Sequence, residues 1–315
     1  MANCLVTGGA GFIGSHLAER LVQDGHKVRV VDNLSTGSEQ NLAGFRTDLE
    51  FLRGDLREPA LCQQACLGVE LVYHLAALPS VPRSMADPWA SHDHNVNGTI
   101  QLLLAARAAG VRRVVYSSSS SIYGDTPVLP KVESLEPLPR SPYAAAKLAG
   151  EQAVLAYSRS GLLEGIALRY FNVFGPRQSP TSAYAAAVPV FLAAALHGTK
   201  APLHGDGGQT RDFTYVGNVV AANLLAAAAP AEKACGWALN IGAGARTSLL
   251  QLIELIREIT GKPVALDRRP AREGDVRDSL ADLRRAADLI GYRPTVALRE
   301  GLEHTWRWFS ANPPA

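Results

Sequence analysis

Only four cysteines occur in 315 residues: Cys4, Cys62, Cys66 and Cys235. None forms a C-x-x-C pair, which argues against a disulfide framework or a cysteine metal site, and a reducing cytoplasm is the expected compartment. Cys62 and Cys66 sit one helical turn apart, a spacing that suits burial. Long apolar runs are lacking, so no membrane segment is expected. The chain enters a strand pattern at once, so no secretory leader is expected either. Charge of one sign is also missing: 31 basic residues face 29 acidic ones, for a net charge of +2. Without a basic tract or an aromatic-interleaved stripe, nucleic acid is not an expected partner.

What is present describes a globular chain. The hydrophobic fraction is 47 % and the mean hydropathy is near zero. A chain of this length buries a large core as one large or two modest domains. Apolar runs near Cys4–Thr7, Val28–Val31, Glu50–Arg53, Leu71–Leu75, Arg113–Ser117 and Ile166–Tyr170 read as strands. Helical patterns fall between them at 12–23, 59–67, 92–109 and 143–160. That alternation predicts a doubly wound parallel sheet. From Asn172 onward the texture changes to short Pro- and Gly-rich segments, a helix at 185–197, a segment Arg211–Tyr215, an apolar run Trp237–Ile241 and closing amphipathic helices. It reads as a second, smaller lobe, with some segments returning to the first.

The first strand runs into Gly8-Gly9-Ala10-Gly11-Phe12-Ile13-Gly14, which satisfies both G-x-G-x-x-G and G-x-x-G-x-x-G spacings. Glycines permit a tight turn and close backbone approach, and the amides of a helix N-terminus attract phosphate. With a strand before it, a helix after it and Asp32 ending the next apolar run, this is a dinucleotide cradle. A carboxylate at Asp32 accepts the adenosine ribose hydroxyls of NAD and repels the 2′-phosphate of NADP. Asp55 closes the third strand, where it can reach the adenine edge, and Leu75-Ala76-Ala77 close the fourth, where small side chains let backbone lie against the cofactor.

Two further segments carry chemistry: the serine tract 117–121, and Ser141-Pro142-Tyr143-Ala144-Ala145-Ala146-Lys147. Ser141 suits a helix cap and Pro142 the first helical position. Tyr143 and Lys147 then share one helical face. An ammonium beside a phenol favours the phenolate, and a nicotinamide ring adds to the effect, so the Tyr143 pKa is expected to fall. Such a tyrosine removes a proton from a sugar hydroxyl while NAD takes hydride from the same carbon, with a serine from the strand end holding the oxygen.

Together these residues resemble the extended short-chain dehydrogenase/reductases, and within them the NAD-dependent nucleotide-sugar 4-epimerases. The resemblance runs nearly the full length: T-G-G-A-G-F-I-G (7–14), D-N-L-S-T-G (32–37), G-D-L-R (54–57), H-L-A-A (74–77), N-V-N-G-T (95–99), S-S-S-x-x-x-Y-G (117–124), Y-A-A-A-K (143–147), R-Y-F-N-V-F-G-P (169–176), R-D-F-T-Y-V (211–216) and R-E-G-D (272–275). It implies Ser119, Tyr143 and Lys147 as the catalytic set. It implies NAD contacts at Gly8, Gly11, Phe12, Ile13, Gly14, Asp32, Asn33, Ser35, Thr36, Gly37, Asp55, Leu56, Leu75, Ala76, Ala77, Tyr143, Lys147 and Phe171. Substrate contacts follow at Ser119, Tyr143, Asn172, Arg211, Arg272, Asp275 and Ser279. Guanidinium forks suit the diphosphate of a sugar nucleotide.

The expected fold is α/β, a Rossmann-type doubly wound parallel sheet with a smaller C-terminal α/β substrate-binding lobe. Residues 1–171 form the NAD-binding domain, with 212–241 returning to it; 172–211 and 242–315 form the UDP-sugar lobe. The resemblance implies a homodimer through a four-helix bundle, and helices 92–109 and 143–160 carry apolar faces wide enough for it.

Departures from the family pattern narrow the reaction. The dehydratase Asp-Glu pair is replaced by Ser120 and Ser121, and the decarboxylase Glu is absent from the same segment. The stretch 80–88 resembles the UDP-N-acetylhexosamine subgroup, and Ser279 is small where bulk gates an N-acetyl group. His94 stands where some epimerases have an asparagine on NAD, and receives no role. The expected reaction is 4-epimerisation of UDP-N-acetylglucosamine and/or UDP-glucose through a 4-keto sugar. The alternative is a UDP-glucuronate 4-epimerase or decarboxylase, with Arg83 facing the carboxylate, or another nucleotide-sugar-modifying oxidoreductase.

Overall fold

The computed structural model describes residues 1–180, 186–270 and 276–313. Six of the apolar runs become strands β1 (Asn3–Thr7), β2 (Lys27–Asp32), β3 (Leu49–Arg53), β4 (Leu71–His74), β5 (Arg113–Ser119) and β6 (Glu164–Tyr170). The strand Ala238–Ile241 pairs with β6, completing a seven-stranded sheet in the order Ala238–Ile241, β6, β5, β4, β1, β2, β3. Every pair is parallel. Both faces are covered by helices, which is why the strands are apolar along their length rather than alternating. Leu17, Leu21, Val30, Ile166 and Val219 pack on one side; Leu5, Val72, Leu102, Val114 and Val154 pack on the other.

The strand order reverses between β1 and β4. Crossovers leave those two strands in opposite directions, and a crevice opens beyond their carboxyl ends. That crevice is where the glycine turn, the serine tract and the Tyr143 helix meet.

A third apolar cluster contains Phe174, Phe191, Leu192, Leu203, Leu252, Ile256, Leu302 and Phe309. It joins the helices Ala187–His197, Leu249–Thr260 and Leu298–Ala311. Leu249–Thr260 starts at a capping box of Ser248 and Gln251 and stops at Gly261, whose φ of +66° favours glycine. Not all of 242–315 stays with this cluster. The helix Arg284–Ile290 buries Ala286 and Ile290, with Tyr292, in the sheet's own core, because its apolar face meets the strand Ala238–Ile241.

The helix expected at 92–109 begins earlier, at Pro88, and contains a wide turn. It runs as Pro88–His92, a π-helical turn Asp93–Asn97 and Gly98–Ala108. The Asn95 amide in that wide turn pairs with both backbone groups of Leu78, accepting at 2.8 Å and donating at 3.1 Å. The segment Arg211–Tyr215 is likewise two short strands, Thr210–Arg211 and Thr214–Tyr215, in separate pairs. A short helix Val81–Ala86, capped by Ser80, was not legible in the sequence. No described helix is long and apolar enough to cross a membrane.

Candidate active site

The glycine turn is built by contact. A Cβ on Gly14 would sit 2.1 Å from the Gly8 carbonyl oxygen, and one on Gly8, at φ +67°, would sit 2.7 Å from the Ala76 backbone. Only bare backbone lets the β1 turn lie this close to the β4 turn. Beside it opens a cleft of about 260 Å³ lined by Gly8, Gly11, Phe12, Ile13, Gly14, Asp32, Asn33, Ser35, Thr36, Asp55, Leu56, Leu75, Ala76 and Ala77. Tyr143 and Lys147 line its inner end. Gly37 stands behind the wall, against Ala10 and the Asp32 carboxylate. Phe171 does not reach the cleft with its ring, which is fully buried with Ile122, Tyr123 and Ala281. Val31, Gly54, Pro79, His94, Ser117, Ser118 and Tyr170 also line it, although the sequence reading assigned none of them a cofactor contact.

Two carboxylates set the far end. Asp32 accepts from the amides of Ala10 at 3.0 Å and Leu34 at 2.8 Å. Burial raises its pKa, and those two amides oppose the rise. For Asp55, burial works upward but is outweighed by Arg57 and Asn33, which hold the carboxyl well below the usual range. A carboxylate at the end of β2 and an uncapped helix N-terminus at Gly11 match the ribose and pyrophosphate of a dinucleotide.

A second cleft of about 370 Å³ adjoins the first and is lined by Ser119, Ser120, Ser121, Asn172, Arg211 and Ser279, with Val81, Gly124, Lys131, Arg140, Ser141, Val173 and Val276. Ile13, Ser118, Tyr143 and Tyr170 line both. Asn172 and Arg211 come together because the strand Thr214–Tyr215 pairs with Val173–Phe174. Arg211 donates to the carbonyls of Thr210 and Arg277, at 2.9 and 3.0 Å. Arg272 and Asp275 lie outside the described residues.

Tyr143 starts the helix Pro142–Arg159, where Ser141 accepts from the Ala144 amide at 3.1 Å. It lines the second cleft with Ser119, whose Oγ accepts from the Ser121 amide and hydroxyl, at 3.2 and 2.9 Å. Lys147 and Glu151 follow at one-turn intervals on the same face. Glu151 is fully buried and takes a two-pronged contact from Arg169, at 2.7 and 3.0 Å, and a hydrogen bond from Ser118 at 2.6 Å. Arg169 also reaches the hydroxyl of Tyr123 at 2.7 Å.

The electrostatics differ from the sequence expectation. Burial raises the Tyr143 pKa rather than lowering it, and the neighbouring Ser119 hydroxyl opposes this only in part. Burial also pushes the Lys147 ammonium down to about 7. Both charged forms are disfavoured by the same dry surroundings, an effect that residue spacing cannot reveal. Beneath them His74 is buried between Thr7 and Thr99, at 2.7 and 2.9 Å, and burial holds it neutral with a pKa of about 3.

Residues 4–242 match the model of the NAD dependent epimerase/dehydratase family. The chain belongs to that family. It is 41 % identical over 309 residues to the UDP-glucose 4-epimerase of Mycolicibacterium smegmatis, covering 97 % of each chain. Among solved structures it is 38 % identical to the UDP-N-acetylglucosamine 4-epimerase of Methanobrevibacter ruminantium, in complex with UDP-N-acetylmuramic acid (TM-score 0.92, 99 % of each chain). The UDP-glucose 4-epimerase of Thermus thermophilus in complex with NAD is 35 % identical (TM-score 0.90, covering 98 % of this chain and 99 % of that one). Family membership and the glycine cradle agree on NAD as the cofactor.

Proposed function

We propose that the protein catalyses the reversible 4-epimerisation of a UDP-hexose, UDP-N-acetylglucosamine and/or UDP-glucose, through a 4-keto sugar with NAD retained between turnovers. One observation carries the reading: Tyr143 belongs to the walls of both clefts, and Ser119 lines the second beside it. A hydroxyl in that position can serve a sugar on one side and a nicotinamide on the other. The relatives' activities support the same reaction.

In this reading Tyr143 removes the proton of the sugar 4-hydroxyl and later returns it, while Ser119 holds the oxygen. Lys147 supplies the positive charge that stabilises the phenolate. NAD, held by the glycine turn and Asp32, would supply a reversible hydride acceptor at this end of the cleft. Asn172 and Arg211 tether the diphosphate, with Arg272 and Asp275 completing the nucleotide contacts. The tether lets the 4-keto sugar turn over without leaving. The first lobe, 1–171 with 212–241, carries NAD, and the second carries the UDP-sugar.

Four unpaired cysteines fit a cytoplasmic protein. A homodimer through the helices near 92–109 and 143–160 accords with the exposure of Leu104, and light scattering tests it. To test the reaction, UDP-glucose and UDP-N-acetylglucosamine are incubated separately with the purified protein and the products resolved by chromatography. Each 4-epimer is the expected product; no interconversion of either defeats the reading.

A further inference from the structure

A buried carboxylate needs a cation or a set of donors to hold it. Asp212 is fully buried and is held by backbone amides. Its Oδ1 accepts from Ala243 at 2.7 Å, and its Oδ2 accepts from Gly244 at 3.1 Å and Ala281 at 3.0 Å. Burial raises its pKa to about 6, and those three amides oppose the rise. Residue 242 is glycine for the same reason: a Cβ there would sit 2.8 Å from Oδ2 and 2.7 Å from the Ala281 side chain. The carboxylate therefore ties residue 212 to two segments distant in sequence, at 243–244 and at 281.

Next to that tie stands Arg211, which lines the second cleft. Its other neighbour is fixed as well. The Thr210 amide donates to the Arg277 carbonyl at 3.0 Å, its carbonyl accepts from the Ser279 amide at 3.2 Å, and its hydroxyl donates to Asp278. The strand Thr210–Arg211 also pairs with Thr247–Ser248, with Thr247 opposite Arg211. Arg211 is thus clamped on both sides, and the segment 277–281 that does much of the clamping also brings Ser279 into the cleft wall. A guanidinium meets two phosphate oxygens at once only when its stem leaves the backbone at a fixed place and angle. Releasing the Asp212 carboxylate loosens one neighbour of Arg211 and, through Ala281, the wall at Ser279.

We propose that Asp212 is a positioning residue for the substrate diphosphate: it fixes the backbone from which Arg211 reaches the phosphates, and acts through Arg211 rather than on the substrate itself. The inference rests on the reading of Arg211 as the tether of a UDP-sugar, and deepens it by naming what holds that arginine in place.

UDP, which carries the diphosphate without the sugar, is the probe. Calorimetry gives its Kd for the wild type, Asp212→Asn, Arg211→Met and the double variant, with stoichiometry fitted so that only folded protein counts. In Asp212→Asn one oxygen becomes a donor, so either the Ala243 bond or both the Gly244 and Ala281 bonds are lost. UDP binding is expected to weaken about tenfold. The KM for a UDP-sugar rises in step, while kcat and bound NAD change by less than about threefold. In the Arg211→Met background the same substitution adds less than about twofold, because the group it positions is gone. Tyr292→Phe, which removes a 2.7 Å bond to the Gly242 carbonyl in the same buried region, is the control for a purely structural loss. It is expected to lower the unfolding midpoint and leave UDP binding unchanged.

Losses that multiply in the double variant overturn the proposal. So does an unchanged UDP affinity in Asp212→Asn, or an equal weakening in Tyr292→Phe. Asp212→Ser, which keeps a small acceptor, is prepared beside the Asn variant and is expected to weaken UDP at least as much; if neither folds, the carboxylate serves the fold alone and the proposal falls. A wild type that binds UDP but converts no sugar defeats the epimerase reading and leaves this inference standing, whereas one that does not bind UDP defeats this inference.

Discussion

Tyr116 holds the ammonium of Lys147 over the face of its ring, 4.8 Å from the centroid, and donates its hydroxyl to the carbonyl of the same lysine at 3.4 Å. The tyrosine fits because residue 150 is glycine: a Cβ there would meet the Tyr116 hydroxyl at 2.3 Å. An aromatic face favours the charged form of an amine that burial otherwise discharges.

Tyr116→Leu removes that face. Cation–π attraction of about 0.5–2 kcal/mol corresponds to roughly 0.4–1.5 pH units. The Lys147 pKa, already near 7, then drops further, and the ammonium is lost at lower pH. The high-pH limb of kcat against pH moves down accordingly, whereas Tyr116→Phe, which keeps the ring, leaves it in place. Superimposable limbs for wild type and Leu variant would count against the platform.

Tyr143→Phe removes the acid/base group while retaining the ring. Epimerisation is expected to fall by about 10²–10⁴, with bound NAD and the unfolding midpoint close to wild type. Full activity in this variant refutes the role given to the phenol.

Gly14→Ala forces a methyl group against the Gly8 carbonyl. That carbonyl cannot retreat, because Gly8 is itself wedged on Ala76. The variant should lose most of its NAD, measured as nucleotide released on denaturing the purified protein, and about 1–3 kcal/mol of stability.

His74 predicts an acid sensitivity. Its folded pKa, about 3, lies below the ordinary value of 6.5, so the unfolded chain binds the proton more tightly between those limits. Its contribution is complete above pH 6.5 and is lost as pH falls towards 3, at up to about 1.4 kcal/mol per unit. Denaturant midpoints followed over that range should fall less steeply in His74→Gln than in wild type.

The parallel sheet and the dinucleotide turn were legible because each depends on local signals: apolar runs of strand length, glycines at fixed spacing, an acid ending β2. Tyr143 and Lys147 were legible for the same reason, being four residues apart on one helix. What escaped depends on tertiary placement. Nothing in the sequence around residue 95 marks a π-helical turn, since the Asn95–Leu78 pairing that goes with it lies 17 positions away. Lys131 resembles any loop lysine until residues 280–282 fold over it. Phe171 adjoins Asn172 in sequence, yet its ring goes into a buried cluster while Asn172 lines the cleft. The pKa directions at Tyr143 and Lys147 follow from burial, which spacing does not encode.

The Glu151–Arg169 fork has a consequence for how the chemistry is kept in step. Tyr143, Lys147 and Glu151 hang from one rod at equal intervals, so clamping the third sets the angular phase of the other two. A single residue inserted between 147 and 151 would swing the phenol by about 100° relative to that clamp, leaving an intact scaffold whose reacting groups face the wrong way.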